Sequence, residues 1–292
     1  MKIGITLPTM ISDTPGDVLL EWARRADDGP YSSLAVGERI TYPNCDMIVA
    51  LSAAAALTHR VRLISTVAVV PLHRAALLAK QAASLDLLSN GRLTLGVGIG
   101  GRDEDCLAVG APTDNRHKRM AEQVALMRRI WRGEPPYEGA APIGPKPIQE
   151  GGPEILVGSI FPSAVRRTMR WADGLSGWSF EPDAAAMKET FRIATEAWQK
   201  AGRAGRPRFV VGSYYALGPR ADEQIDSALS QYLGIFGADV AKSIAASVRS
   251  RTAQAILDAQ RAFEDIGADE FIWVPLAAEL DQLERLTEIV GR

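Results

Sequence analysis

The stretch GRLTLGVGIGG, residues 91–101, is entered through Asn90-Gly91-Arg92 and ends in a run of glycines. Leu93, Leu95 and Val97 alternate with Thr94, Gly96 and Gly98, the pattern of a short strand. Glycine has no Cβ, so backbone can come close to whatever lies at the strand's exit, a flat ligand or a tightly packed barrel neighbour. A doubly wound nucleotide-binding sheet would place GxGxxG directly after its first strand and open a helix with it. Here the first strand runs into Pro8, and the glycines at 96, 98, 100 and 101 come late, with no helix start behind them. The stretch therefore belongs inside a longer series of strands.

The rest of the chain supplies that series. Strand patterns fall at 2–7, 31–36, 60–67, 92–97, 154–157, 174–178, 209–216 and 271–274. Helical spacing follows each: 15–28, 46–58, 75–88, 118–131, 162–172, 182–200, two or three helices within 221–266, and 278–290. Eight βα units in 292 residues predict an α/β chain folded as one (β/α)8 TIM barrel spanning 1–292. Two features decorate it. An irregular insertion at 133–153, with six prolines and five glycines, follows the fourth helix, and extra helices at 221–266 precede the last strand.

Composition excludes several classes. A net charge of −2 gives no electrostatic case for nucleic acid or an anionic membrane. The apolar stretch 61–72 is interrupted by Arg62, Ser65, Thr66 and Pro71, and the first ten residues read as a strand rather than an export signal, so a cytoplasmic protein is expected. Cys45 and Cys106 show no CxxC spacing, and His59, His73 and His117 no metal-ligand spacing, so no metal site is expected.

In a barrel of this kind the active site lies at the C-terminal strand ends. Those positions hold small residues, hydroxyls and aromatics, with Glu38 the one acid directly at a strand end. No carboxylate pair or nucleophile elbow stands there, so a planar cofactor that performs the chemistry itself suits the inventory. Glu38 beside Arg39 reads either as an exposed ion pair or as a ligand contact. Ser65 and Thr66 either satisfy strand backbone or meet a ligand. His73 is placed near the mouth, as a titrating group or a solvated loop residue. The turn Gly158-Ser159-Ile160-Phe161, entering a helix at Pro162, is a plain βα turn or an anion site, with Arg166 and Arg167 one turn on.

The chain resembles the bacterial luciferase-like flavin and deazaflavin oxidoreductases, in particular their coenzyme F420-dependent branch. The resemblance rests on the GITLPT start, Asn90-Gly91-Arg92 running into LGVGIG, Gly110-Ala111-Pro112 with Arg116 and Glu122, MRRIWRG at 127–133, and EILVGS with the helix ending Trp171-Ala172-Asp173-Gly174. It covers roughly the first 180 residues. It implies an oxidoreductase that moves a hydride between F420 and a small organic substrate, with an FMN-dependent monooxygenase or a non-catalytic binding barrel as alternatives. It implies cofactor contacts from Glu38 and Arg39, a bulge with a cis peptide at Ser65-Thr66 behind the ring, and ring-side glycines at Gly98 and Gly100. The phosphate-bearing tail would lie on Val157, Gly158, Ser159, Ile160 and Phe161. Proton transfer, where needed, falls to His73 or Glu38. Relatives acting on sugar phosphates carry an acid where this chain has Gly101, which disfavours that substrate class. A small-molecule substrate is the expected partner, and the small-residue faces of helices 46–58 and 75–88 suit a homodimer.

Overall fold

The computed structural model describes residues 1–159 and 161–291. Parallel strands β1 (Lys2–Thr6), β2 (Ser33–Val36), β3 (Arg62–Ser65), β4 (Ala68–Val69), β5 (Leu93–Gly98), β6 (Glu154–Val157), β7 (Gly174–Trp178), β8 (Arg208–Tyr215) and β9 (Glu270–Pro275) form one sheet. β1 pairs with both β2 and β9, and β3 pairs with β5, so the sheet closes on itself. β3 and β4 are two pieces of one barrel stave, broken at Thr66–Val67, and the closed TIM barrel therefore has eight staves.

Strand ends and helix ends match the sequence reading closely, because alternation and helical period each recur strongly enough to mark them. The helices are α1 (Gly16–Asp28), α2 (Met47–Leu57), α3 (Ala75–Leu88), α4 (Asp103–Ala108), α5 (Arg116–Trp131), α6 (Pro162–Thr168), α7 (Ala184–Lys200), α8 (Ala221–Leu233), α9 (Ala238–Ser247), α10 (Ala253–Asp265) and α11 (Leu280–Val290). Two corrections follow. The glycine run does lead into a helix: α4 starts two residues after Gly101, too short to show a period. The irregular stretch 133–153 therefore follows the fifth helix, and α6 stops at Thr168, four residues short of its expected end.

The interior separates into a large apolar core between barrel and helices, a smaller cluster where α8 and α9 sit over Tyr214, Val274 and Leu276, and a third of Ala35, Ile64, Leu156, Val210 and Ile272 on β2, β3, β6, β8 and β9. The N-terminal end of the barrel is closed by charge. Arg208 reaches both Glu154 and Glu270, and Glu270 also accepts from Ser32 and Ser33 hydroxyls at 2.5 and 2.6 Å. Among the described residues no helix is long and apolar enough to cross a membrane.

Candidate active site

At the C-terminal strand ends lies a cavity of about 320 Å³. Thr66, Val67 and Val157 at the strand ends line it, with Val210 and Ile272 from within β8 and β9 and the turns at Gly98–Gly100 and Gly158–Ser159. Its lining is mostly apolar and glycine-rich, with hydroxyls at Thr66, Ser159, Thr168 and Ser176. That is the inventory of a pocket for a flat organic group.

The glycines have a specific task here. A Cβ on Gly96 would stand 2.0 Å from the Ser65 carbonyl oxygen, and one on Gly98 2.5 Å from Val67 Cγ2. A Cβ on Gly158 would stand 2.7 Å from Val67 Cγ1, and one on Gly100 2.6 Å from Val69 Cγ1. The stave broken between β3 and β4 thus leans on β5 and the β6 exit, and no side chain fits between them. The Ser65 hydroxyl is taken up by the same contact, donating to the Gly96 carbonyl at 2.8 Å. The cis peptide lies at Thr66–Val67, one bond later than the resemblance implied.

Glu38 and His73 are brought together. His73 Nε2 lies 2.7 Å from Glu38 Oε1, while Glu38 Oε2 accepts from the Val69 backbone N–H at 2.6 Å. The Glu38 side chain is 2% exposed, so the carboxylate is fully committed to these two partners. Gln123 Nε2 in turn donates to the His73 carbonyl at 2.7 Å. Burial disfavours the charged imidazole, but the Glu38 hydrogen bond and charge, with Asp46 behind, outweigh it and raise the His73 pKa. Neither residue lines the cavity. The pair fastens β4 from behind.

A second chamber of about 240 Å³ adjoins the first and shares Thr66, Trp178 and Val274 with it. Its walls are aromatic. Trp178 packs edge-on against Tyr214 (centroids 4.6 Å apart) and Phe180 (5.9 Å), and Tyr232 comes in from α8. Arg39 lines this chamber, its guanidinium 4.3 Å from the Tyr42 ring centre and 4.6 Å from that of Tyr232. His117, at the start of α5, lines the larger cavity. Burial holds its pKa below the ordinary value, helped by the positive charges of Arg167 and Arg116.

Of the residues singled out from sequence, Thr66, Gly98, Gly100, Val157, Gly158, Ser159 and Phe161 line the larger cavity, and Arg39 the smaller. Ser65, Glu38 and His73 lie behind the bulge instead, and Ile160 lies outside the described residues. Sequence reasoning put His73 at the mouth; His117 is the histidine that lines the cavity, because α5 begins two residues earlier than its apolar period shows. It also missed Phe180 and Tyr232 of the smaller chamber, and Arg102, whose guanidinium lies 5.5 Å from the Tyr232 ring centre. The signal available for Arg102 was its place directly after the glycine run; Phe180 and Tyr232 carry none, since they meet only through the closed barrel.

A family model described as luciferase-like monooxygenase matches residues 1–288. An uncharacterized Mycobacterium bovis protein, Mb0978c, is 34% identical over 173 residues, which is 56% of this chain and 60% of that protein. Among solved structures, an F420-dependent secondary alcohol dehydrogenase in complex with an F420-acetone adduct superimposes with TM-score 0.81 at 17% identity, over 99% of this chain and 98% of its own. Monooxygenase RslO1 from Streptomyces bottropensis superimposes with TM-score 0.78 at 21% identity, over 100% of this chain and 98% of its own. Fold, open strand ends and glycine-lined cavity agree with a match that runs along nearly the whole sequence, and the chain belongs to the luciferase-like monooxygenase family.

Proposed function

We propose that this chain is an oxidoreductase that binds coenzyme F420 in the larger cavity and turns over a small organic substrate. The observation that carries the reading is the glycine-lined cavity at the strand ends, with the Arg167 charge close to His117 on its wall. A planar tricycle fits beside Thr66, Val67 and Gly98, where no side chain intrudes. The anionic tail fits at Gly158–Ser159, next to His117 and Arg167, while Arg116 is paired with Asp103. Arg167 is exposed at that edge, a cation suited to the extended acidic tail of F420. When bound, the deazaflavin supplies hydride chemistry, so the barrel need not contribute a nucleophile.

The chain's own residues then bind and orient. Val67 backs the ring position, pressed there by Gly98 and Gly158. Glu38 and His73 hold Val69 and through it the bulge, which makes them positioning residues rather than groups in contact with the reacting atoms. Trp178, which lines both chambers, sets the boundary between ring and substrate and helps keep water out.

Titration of the purified protein with F420 and with FMN, followed by fluorescence, tests the proposal. Micromolar binding of F420 with no comparable FMN binding is the expected result. FMN binding alone would reverse the cofactor assignment, and binding of neither would favour a non-catalytic barrel.

A further inference from the structure

The smaller chamber holds a cation with no counter-ion. Arg39 is 9% exposed, yet among the described residues it pairs with no carboxylate. Its Nη1 donates to the Tyr232 carbonyl at 2.6 Å, its Nε is buried without an acceptor, and its faces are covered by the Tyr42 and Tyr232 rings. Arg102 converges on the same carbonyl, donating from Nη2 at 2.9 Å, and its Nη1 is also buried without an acceptor. The acids near Arg102 are Asp105 and Glu104, and neither forms an ion pair with it. Asp105 Oδ1 is already taken by the Thr41 backbone N–H and hydroxyl, at 2.7 and 2.5 Å.

Two guanidiniums on one carbonyl repel each other, and aromatic faces offset the desolvation of a buried cation only in part. An arrangement of this kind is completed by an anion from outside. The remaining walls, Trp178, Phe180, Tyr214 and Tyr232, offer ring edges and faces to a flat apolar body. At about 240 Å³ the space takes a small molecule.

We propose that the smaller chamber is the substrate site, and that it selects a small aromatic carboxylate whose anionic group is met by Arg39 with Arg102 behind it. The assignment rests on the larger cavity holding the cofactor ring, and it gives Arg39 to the substrate rather than to the ring. Arg39 is a specificity determinant in this scheme and takes no part in bond making.

Phenylacetate and its neutral isostere phenylacetamide serve as probes, with binding followed by calorimetry in the absence of any cofactor. Wild-type protein is expected to bind phenylacetate at least tenfold more tightly than the amide. Arg39→Met, which keeps the aliphatic stem, is expected to erase that preference, and Arg39→Lys to keep part of it. Equal binding of the two probes by wild type, or no saturable binding of either, would overturn the proposal without any variant having to fold. F420 titration of the same variants separates this inference from the cofactor assignment. Unchanged F420 affinity in Arg39→Met supports the substrate role. An F420 affinity that falls while probe preference survives would return Arg39 to the cofactor and overturn it.

Discussion

The exchange between Glu38 and His73 is a single-residue matter with a pH signature. The folded-state pKa of His73 lies above its unfolded value of about 6.5. A raised imidazole pKa means the folded protein holds the proton more tightly. The stabilisation is then complete below the unfolded pKa and fades as pH rises through the folded one. The stability difference between wild type and His73→Asn, from urea melts across pH 5.5 to 9, roughly the range in which imidazole titrates, should be largest at the acid end and shrink toward the alkaline end. Glu38→Gln should remove that pH dependence and cost about 1.5–3 kcal/mol, the usual worth of hydrogen bonds to a charged group. A pH-independent difference would mean that folding leaves the imidazole pKa where it is in the unfolded chain.

Among elements, the contact of the broken stave with β5 makes predictions that differ from one glycine to the next. In Gly96→Ala the new methyl meets backbone, the Ser65 oxygen at 2.0 Å, which cannot turn aside. In Gly98→Ala it meets a side-chain methyl, Val67 Cγ2 at 2.5 Å. Gly98→Ala should cost about 1–3 kcal/mol, as overpacking does, and Gly96→Ala more. Val67→Ala removes the clashing methyl, so the double variant with Gly98→Ala should recover much of the loss in a denaturation cycle, whereas Gly96→Ala should gain nothing from it. How legible this was in the sequence follows from the same strands. Alternation of Leu93, Leu95 and Val97 predicts β5, and Gly98 and Gly100, which the resemblance places beside a cofactor ring, line the larger cavity. The sequence also offered two uses for the glycines, a ligand or a tight neighbour, and nothing local distinguishes them. Ser65, Val67 and Val69 lie some thirty positions earlier, and only barrel closure brings them to β5. Glu38 and His73 show the same limit: each was singled out alone, and their partnership depends on the path of the broken stave.

The molecule as a whole divides its labour between the two ends of the barrel. Arg208 bridges Glu154 and Glu270 at the closed end, where the Glu270 side chain is 1% exposed, and the two chambers lie at the other end. Arg208→Met would leave the buried Glu270 charge with only the Ser32 and Ser33 hydroxyls, and should cost about 3–5 kcal/mol in a denaturant melt. F420 affinity of the folded fraction should stay within about twofold, since nothing at the other end depends on Arg208. A large loss of affinity would show that the two ends are coupled. The glycines of β5 carry a last consequence, for anyone who would move this site to another scaffold. They are not ornaments of a binding loop that can be grafted alone, because each is the imprint of a residue on the neighbouring stave. The segments 65–69, 96–100 and 158 form one transferable module, and a chimera that takes any of them should take all three.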